Sequence, residues 1–298
     1  MAAPAPILAA TDFSAPAQHA ADRAARLARA SGAPLTLLHV LPSGTLQGLR
    51  RWLGAGSGAE QQLQAHALQQ LQQQAAHLQA TRHVDVHAQH ADGAPADAIV
   101  RTADELDAAL LVAGARGEGF VRRWVLGSTT ERLLHRSRRP LLVVRHAPLG
   151  AYRRVLLALD FSPWSMQSIE LAALVAPHAP LVLLHAFQVP FAEKLQFAGV
   201  DAATIDNYRT HARAEASRRV QALMKAARLD AGRCDARIVE GDAAQRIVEL
   251  EQALGCDLVV LGKHGQSAAE DLLLGSVTQH VLAQGGSDVL VSTRHEPG

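Results

Sequence analysis

Two glycine-rich segments hold the residues best suited to chemistry. Gly114-Ala115-Arg116-Gly117 is followed by nine residues and then Gly127-Ser128-Thr129-Thr130; Gly262-Lys263-His264-Gly265 is followed by nine and then Gly275-Ser276-Val277-Thr278. Both read G-x2-G-x9-G-S. Glycine lets a backbone amide approach an anion with no side chain in the way, and a Gly-Ser pair opening a helix offers first-turn N–H groups and a hydroxyl to phosphate oxygens. One Gly-x-x-Gly is ordinary turn chemistry, but two copies with equal internal spacing point to phosphate binding.

These segments are part of a larger repeat. Ala10-Thr11-Asp12-Phe13-Ser14 returns as Ala158-Leu159-Asp160-Phe161-Ser162, Leu37-Leu38-His39-Val40 as Leu183-Leu184-His185-Ala186, and the glycine pattern 148 positions on. The chain therefore reads as a tandem duplication with domains at 1–147 and 148–298, its seam in the Pro- and Gly-containing stretch around Pro148 and Gly150. Its 298 residues, 48% hydrophobic and 19% charged, suffice for two cores.

Within each copy short apolar runs alternate with helical patterns, which is the signature of parallel βαβ units. Strands are expected at Ile7–Thr11, Leu35–Val40, His83–Ala88, Ala109–Gly114 and Leu141–Arg145, then at Arg154–Asp160, Leu181–Ala186, Cys234–Glu240, Asp257–Gly262 and Asp288–Ser292. The fold class is α/β, two five-stranded parallel-sheet sandwiches of Rossmann-like topology. Ser14 and Ser162 are placed to cap the first helices, with Pro16 and Pro163 in their opening turns. Gln61–Gln79 and Ala202–Arg228 read as long helices, each after a long connection.

Other chemistries find less support. His83, Asp85 and His87 would share one side of a regular strand, but alternation with Val84 and Val86 is that of a half-buried strand, so no metal is assigned. His39 and His185 read as supports of the second strand end. Cys234 and Cys256 lack Cys-x-x-Cys spacing and fit a reducing compartment. No Gly-x4-Gly-Lys-Ser/Thr occurs, nor Gly-x-Gly-x-x-Gly after either first strand, which removes the main support for GTPase or hydride-transfer chemistry. A formal charge of +1 gives no field for nucleic acid or membrane, and no apolar run reaches the roughly 18 residues of a membrane span, so the expected location is cytoplasmic.

With these motifs the chain resembles the tandem universal stress proteins, in their ATP-binding branch, over nearly its full length. The resemblance implies a strand order of 3-2-1-4-5 and an adenine-nucleotide pocket, with magnesium accompanying the phosphates, at the carboxyl ends of the strands. It implies that Asp12 and Asp160 face adenosine, Val40 and Ala186 lie beside adenine, and Gly114 and Gly262 approach ribose. Phosphates would fall to Gly117, Gly127, Ser128 and Thr129 in one copy, and to Gly265, Gly275, Ser276 and Val277 in the other. It further implies an intramolecular pseudo-dimer through Leu141–Arg145 and Asp288–Ser292, compatible with a homodimer. The expected function is a stress-response sensor or regulated binding module with an unidentified protein partner; a slow magnesium-dependent ATPase, for which no catalytic base is evident, and a nucleotide-free scaffold are the alternatives. Arg122 and Arg123 in the first nine-residue loop, against Glu270 and Asp271 in the second, predict tighter triphosphate binding in the first copy.

Overall fold

A computed structural model of the chain describes residues 4–44, 47, 51, 58–117, 126–189, 200–263 and 274–293. The chain divides into two compact units, Met1–Ala151 with Asp288–Gly298, and Tyr152–Ser287.

The first unit runs β1 (Ile7–Thr11), α1 (Ala15–Ser31), β2 (Leu35–Pro42), α2 (Ala59–Arg82), β3 (Val86–Gly93), α3 (Pro95–Glu105), β4 (Leu110–Gly114), α4 (Ser128–Arg136) and β5 (Leu141–Val144). Its strands lie in the order β3-β2-β1-β4-β5, all parallel. The second unit runs β6 (Val155–Ala158), α5 (Trp164–Val175), β7 (Leu181–Phe187), α6 (Ala202–Ala226), β8 (Cys234–Glu240), α7 (Ala243–Leu254), β9 (Leu258–Gly262) and α8 (Ser276–Gln284). Its parallel order is β9-β6-β7-β8. The last strand, β10 (Asp288–Ser292), is grouped with the first unit, where it runs antiparallel to β5 with Val289 opposite Val143 and Val291 opposite Leu141. Pairing between these two terminal strands is the one that the family resemblance implies, and it gives β5 a hydrogen-bonded neighbour on the side away from β4.

Central strands are buried on both faces, as parallel strands between helices must be, and so read as unbroken apolar runs such as Leu35-Thr36-Leu37-Leu38. β3 and β8 are largely polar and only partly buried. Here the expected position needs correction: His83–Ala88 does not form the third strand. α2 continues to Arg82 and His83 is its left-handed C-cap, φ 53°, its N–H donating to Gln79 O, so the strand begins only at Val86. His83 and Asp85 are therefore not strand neighbours of His87. Among the described residues no three His, Cys, Asp or Glu side chains gather as metal ligands, and no helix is long and apolar enough to cross a membrane.

Both cysteines are free thiols. Burial pushes the Cys256 thiol up to about 11 and raises that of half-buried Cys234, so neither is activated as a nucleophile.

Candidate functional site

In the first unit the chain leaves β1 through a tight turn that Asp12 organises. Its Oδ1 accepts from the Ser14 backbone N–H at 3.1 Å and from the Ser14 hydroxyl, while Ser14 Oγ accepts from Ala17 N at 3.4 Å as the N-cap of α1. The second unit builds the same turn with different caps. Asp160 Oδ1 accepts from Ser162 N at 2.9 Å and from Ser165 Oγ at 3.2 Å, and the residue before α5 is Pro163, so Ser162 does not supply the side-chain cap expected of it. Substituting proline for Ala15 and tryptophan for Pro16 shifts the helix start by one residue, which accounts for the change.

Between aspartate and serine both turns place a phenylalanine in the left-handed region, Phe13 at φ 66° and Phe161 at φ 61°. That conformation costs a residue with a Cβ about 1–2 kcal/mol. In both units it lays the ring against the histidine of the neighbouring strand, with centroids 4.4 Å apart for Phe13 and His39 and 4.2 Å apart for Phe161 and His185.

The histidines are fixed from their other side. His39 Nδ1 lies 2.9 Å from Thr11 O and His185 Nδ1 lies 2.8 Å from Leu159 O. A carbonyl only accepts, so Nδ1 carries the hydrogen and Nε2 the lone pair. Burial is the largest influence on both rings and holds their pKa below the ordinary 6.5, outweighing the opposing backbone bonds. Since the folded value is depressed, the unfolded chain binds more protons as pH falls through 6.5. The stabilisation from neutral His39 and His185 is complete above that pH and is lost below it. Thermal melts should show this pair's contribution disappearing as pH falls below 6.5, and a His39→Gln, His185→Gln chain should lose less stability than the parent on the same acidification.

The glycine segments meet this end of the sheet from β4 and β9. A Cβ on Gly114 would stand 2.9 Å from the backbone carbonyl of Pro16, and one on Gly117 would stand 2.6 Å from Asp12 Oδ2. Gly114 thus lets β4 approach the first turn of α1, and Gly117 leaves its space to the aspartate. Gly127 N donates to Ala115 O at 2.8 Å and Gly275 N to Lys263 O at 2.9 Å. Thr130 Oγ1 donates to Gly114 O at 2.8 Å and Thr278 Oγ1 to Gly262 O at 2.9 Å. The two helices begin alike, with N-cap Gly127 at φ −68°, ψ 142° and Gly275 at −60°, 145°, and neither N-cap supplies a side-chain cap. Their first-turn amides are therefore placed for an external anion, which the helix dipole favours.

Each unit holds a cavity here. The first, about 460 Å³, is lined by Asp12, Val40, Gly114, Gly117, Gly127, Ser128 and Thr129. The second, about 550 Å³, is lined by Asp160, Ala186, Gly262, Gly275, Ser276 and Val277. Both volumes suit a small-molecule ligand. Every site residue expected from sequence lines its cavity except Gly265, which lies outside the described residues, as do Arg122, Arg123, His264, Glu270 and Asp271. Sequence reasoning passed over Phe13, Phe161, Thr130 and Thr278 as functional residues, although all four recur at the repeat interval and that recurrence was the available signal.

Two α/β units, each with a cavity at the carboxyl ends of its strands between an Asp-Phe turn and a Gly-Ser helix start, make the chain a duplication of one cavity-bearing α/β design. The chain belongs to the universal stress protein family, whose model matches residues 5–145 and again 151–293. It is 28% identical over 300 residues to a universal stress protein of Mycolicibacterium smegmatis (strain ATCC 700084 / mc(2)155), covering 96% of both chains. It is 28% identical over 200 residues to the universal stress protein Rv1996 of Mycobacterium tuberculosis, covering 62% of this chain and 58% of that one. The crystal structure of a universal stress protein from Archaeoglobus fulgidus DSM 4304 has the same fold, with a TM-score of 0.72 at 17% identity, covering 97% of this chain and 98% of that one.

Proposed function

We propose that each unit binds one adenine nucleotide, with ATP as the physiological ligand, and that the protein acts as a nucleotide-responsive sensor or binding module of the cytoplasmic stress response. The observation that carries this reading is the duplication of one cavity design: an apolar strand end at Val40 or Ala186, a carboxylate at Asp12 or Asp160, and a Gly-Ser helix start facing them across the sheet. Phosphates would be held by the first-turn amides and hydroxyls at Ser128 and Ser276. The adenine face would lie against Val40 or Ala186, and Asp12 or Asp160 would accept from adenosine hydroxyl or amino groups. The side-chain-free space at Gly117 fits such an arrangement, since it lets the backbone and the Asp12 carboxylate share one wall. Magnesium would enter with the phosphates as their counter-ion.

Replacing Asp12 or Asp160 by Ala should weaken nucleotide binding in its own unit about tenfold, the worth of roughly one hydrogen bond to a charged group. Replacing either by Asn keeps an acceptor for the turn and should recover thermal stability more fully than affinity. Calorimetric titration together with a melt separates the two effects; equal affinity of the Ala variants and the parent would confine these aspartates to bracing the turn.

Mass analysis of small molecules released when the purified protein is denatured tests the proposal as a whole. An adenine nucleotide in the released fraction is expected. Protein that releases none, and that gives no binding signal on adding ATP, would favour the interaction scaffold.

A further inference from the structure

The two cavities are alike at the Gly-Ser helix start and differ on the flank of Val40 and Ala186, where the long helix covers them. α2 runs antiparallel to the strands it joins. Gln74 Oε1 accepts from Thr11 Oγ1 at 3.1 Å, level with the last residue of β1, and Gln79 Nε2 donates to Val86 O at 3.1 Å, level with the first residue of β3. Gln70 lies one turn before Gln74 on the same helix face, about 5.4 Å further toward the carboxyl ends of the strands. Thr11 pairs with His39, so Val40 stands one residue, about 3.3 Å, beyond that same level. Gln70 is thus at the height of Val40, and both line the first cavity. The side chain is half-buried, and its amide makes no hydrogen bond to any described residue. Arg116 enters this cavity from the segment after β4, which lies on the other side of β1 from β2.

α6 repeats the buried pair of α2, Ala67 and Leu71, as Ala216 and Val220 at the same spacing. That register sets Arg219 at the place of Gln70 and Leu223 at the place of Gln74. Thr11 returns in the repeat as Leu159, so both ends of the polar tie between Thr11 and Gln74 are apolar in the second unit, as the register requires. Arg219 lines the second cavity as Gln70 lines the first, with its Cζ 4.1 Å from the Phe161 ring centroid. The two side chains differ in what they can recognise. A carboxamide offers a donor and an acceptor side by side, and a guanidinium offers donors alone. Adenine presents the matching pair, an amino group that donates beside a ring nitrogen that accepts. Guanine presents two acceptors there, and the amide oxygen finds no donor.

We propose that Gln70 is the base-specificity residue of the first cavity, where its amide reads the amino edge of adenine, and that the second cavity has no equivalent reader and takes adenine and guanine nucleotides alike. The inference rests on the nucleotide reading above, which places the base beside Val40 or Ala186. The phosphate groups at Ser128 and Ser276 play no part in it, because they meet the same triphosphate whichever base is attached.

The test uses the full chain with its second cavity blocked by Ser276→Asp, titrated separately with ATP and with GTP. ATP should bind about tenfold or more tightly than GTP, the discrimination that one paired donor and acceptor gives against the wrong base. Adding Gln70→Leu, which removes the amide at similar size, should bring that ratio near one, with an unchanged melt confirming the fold. Gln70→Arg, which copies the second cavity, should do the same. In the complementary chain, blocked by Ser128→Asp, the ratio should be near one from the outset. Equal affinities for ATP and GTP in the first chain would overturn the inference and leave nucleotide binding standing. A preference for ATP that survives both Gln70 variants would overturn the role given to Gln70, and one of the same size in the second cavity would overturn the contrast between the two. Binding of neither compound to either chain would overturn the nucleotide reading together with the inference.

Discussion

Replacing Ser128 by Asp should abolish nucleotide binding in the first unit, and Ser276→Asp should do so in the second, each by a hundredfold or more. The substitution puts a carboxylate at the first residue of a helix whose amides are the proposed phosphate site. The same dipole that attracts phosphate favours that carboxylate by about 0.3–1 kcal/mol, so the fold should be unharmed or slightly stabilised. Phosphate loses its hydrogen-bond partners and meets a like charge, and two charge-assisted contacts of about 1.5–3 kcal/mol each account for the factor. Titration should find one nucleotide per chain in each single variant and none in the double variant, with melting temperatures at or above that of the parent. Two nucleotides still bound to the double variant would remove the Gly-Ser helix starts from the site.

Asp288→Ala should cost the first unit about 3–5 kcal/mol, a large share of a domain's stability. Asp288 is 3% exposed and Arg23 7% exposed, with 3.7 Å between Arg23 Nε and Asp288 Oδ2. Asp288 Oδ1 also accepts from the Arg145 backbone N–H at 2.8 Å, while Arg23 Nη1 donates to Gly150 O at 2.7 Å. Alanine therefore leaves a buried guanidinium without this carboxylate and a backbone donor without its acceptor. Asp288→Asn keeps an acceptor near Arg145 and should cost less. By contrast, Glu215→Ala breaks an exposed pair with Arg218 and should change stability by no more than about 0.5 kcal/mol. Urea unfolding measures all three; a loss under about 1 kcal/mol for Asp288→Ala would mean the pair is not what ties β10 to the first unit.

The repeat made most of this architecture legible from sequence. Strands buried on both faces are continuous apolar runs, and Asp12, Asp160 and the two Gly-Ser starts stood out because each occurred twice. Where the sequence misled, non-local or local context decided. At the third strand, alternating Val and His residues imitate a half-buried strand, but the end of α2 extends to His83 in a left-handed cap that no periodicity signals. Ser162 matches Ser14 in the repeat, yet the proline beside it moves the helix start by one residue and leaves α5 without a side-chain cap. The grouping of β10 with β5 depends on pairing between residues about 150 positions apart.

The most direct test of the central claim is calorimetric titration of the unmodified full chain with ATP, after removal of any co-purified ligand. Two nucleotides bound per chain are predicted, with one lost on Ser128→Asp and the other on Ser276→Asp. A chain that is folded by its melt and binds no ATP at either site would contradict the account.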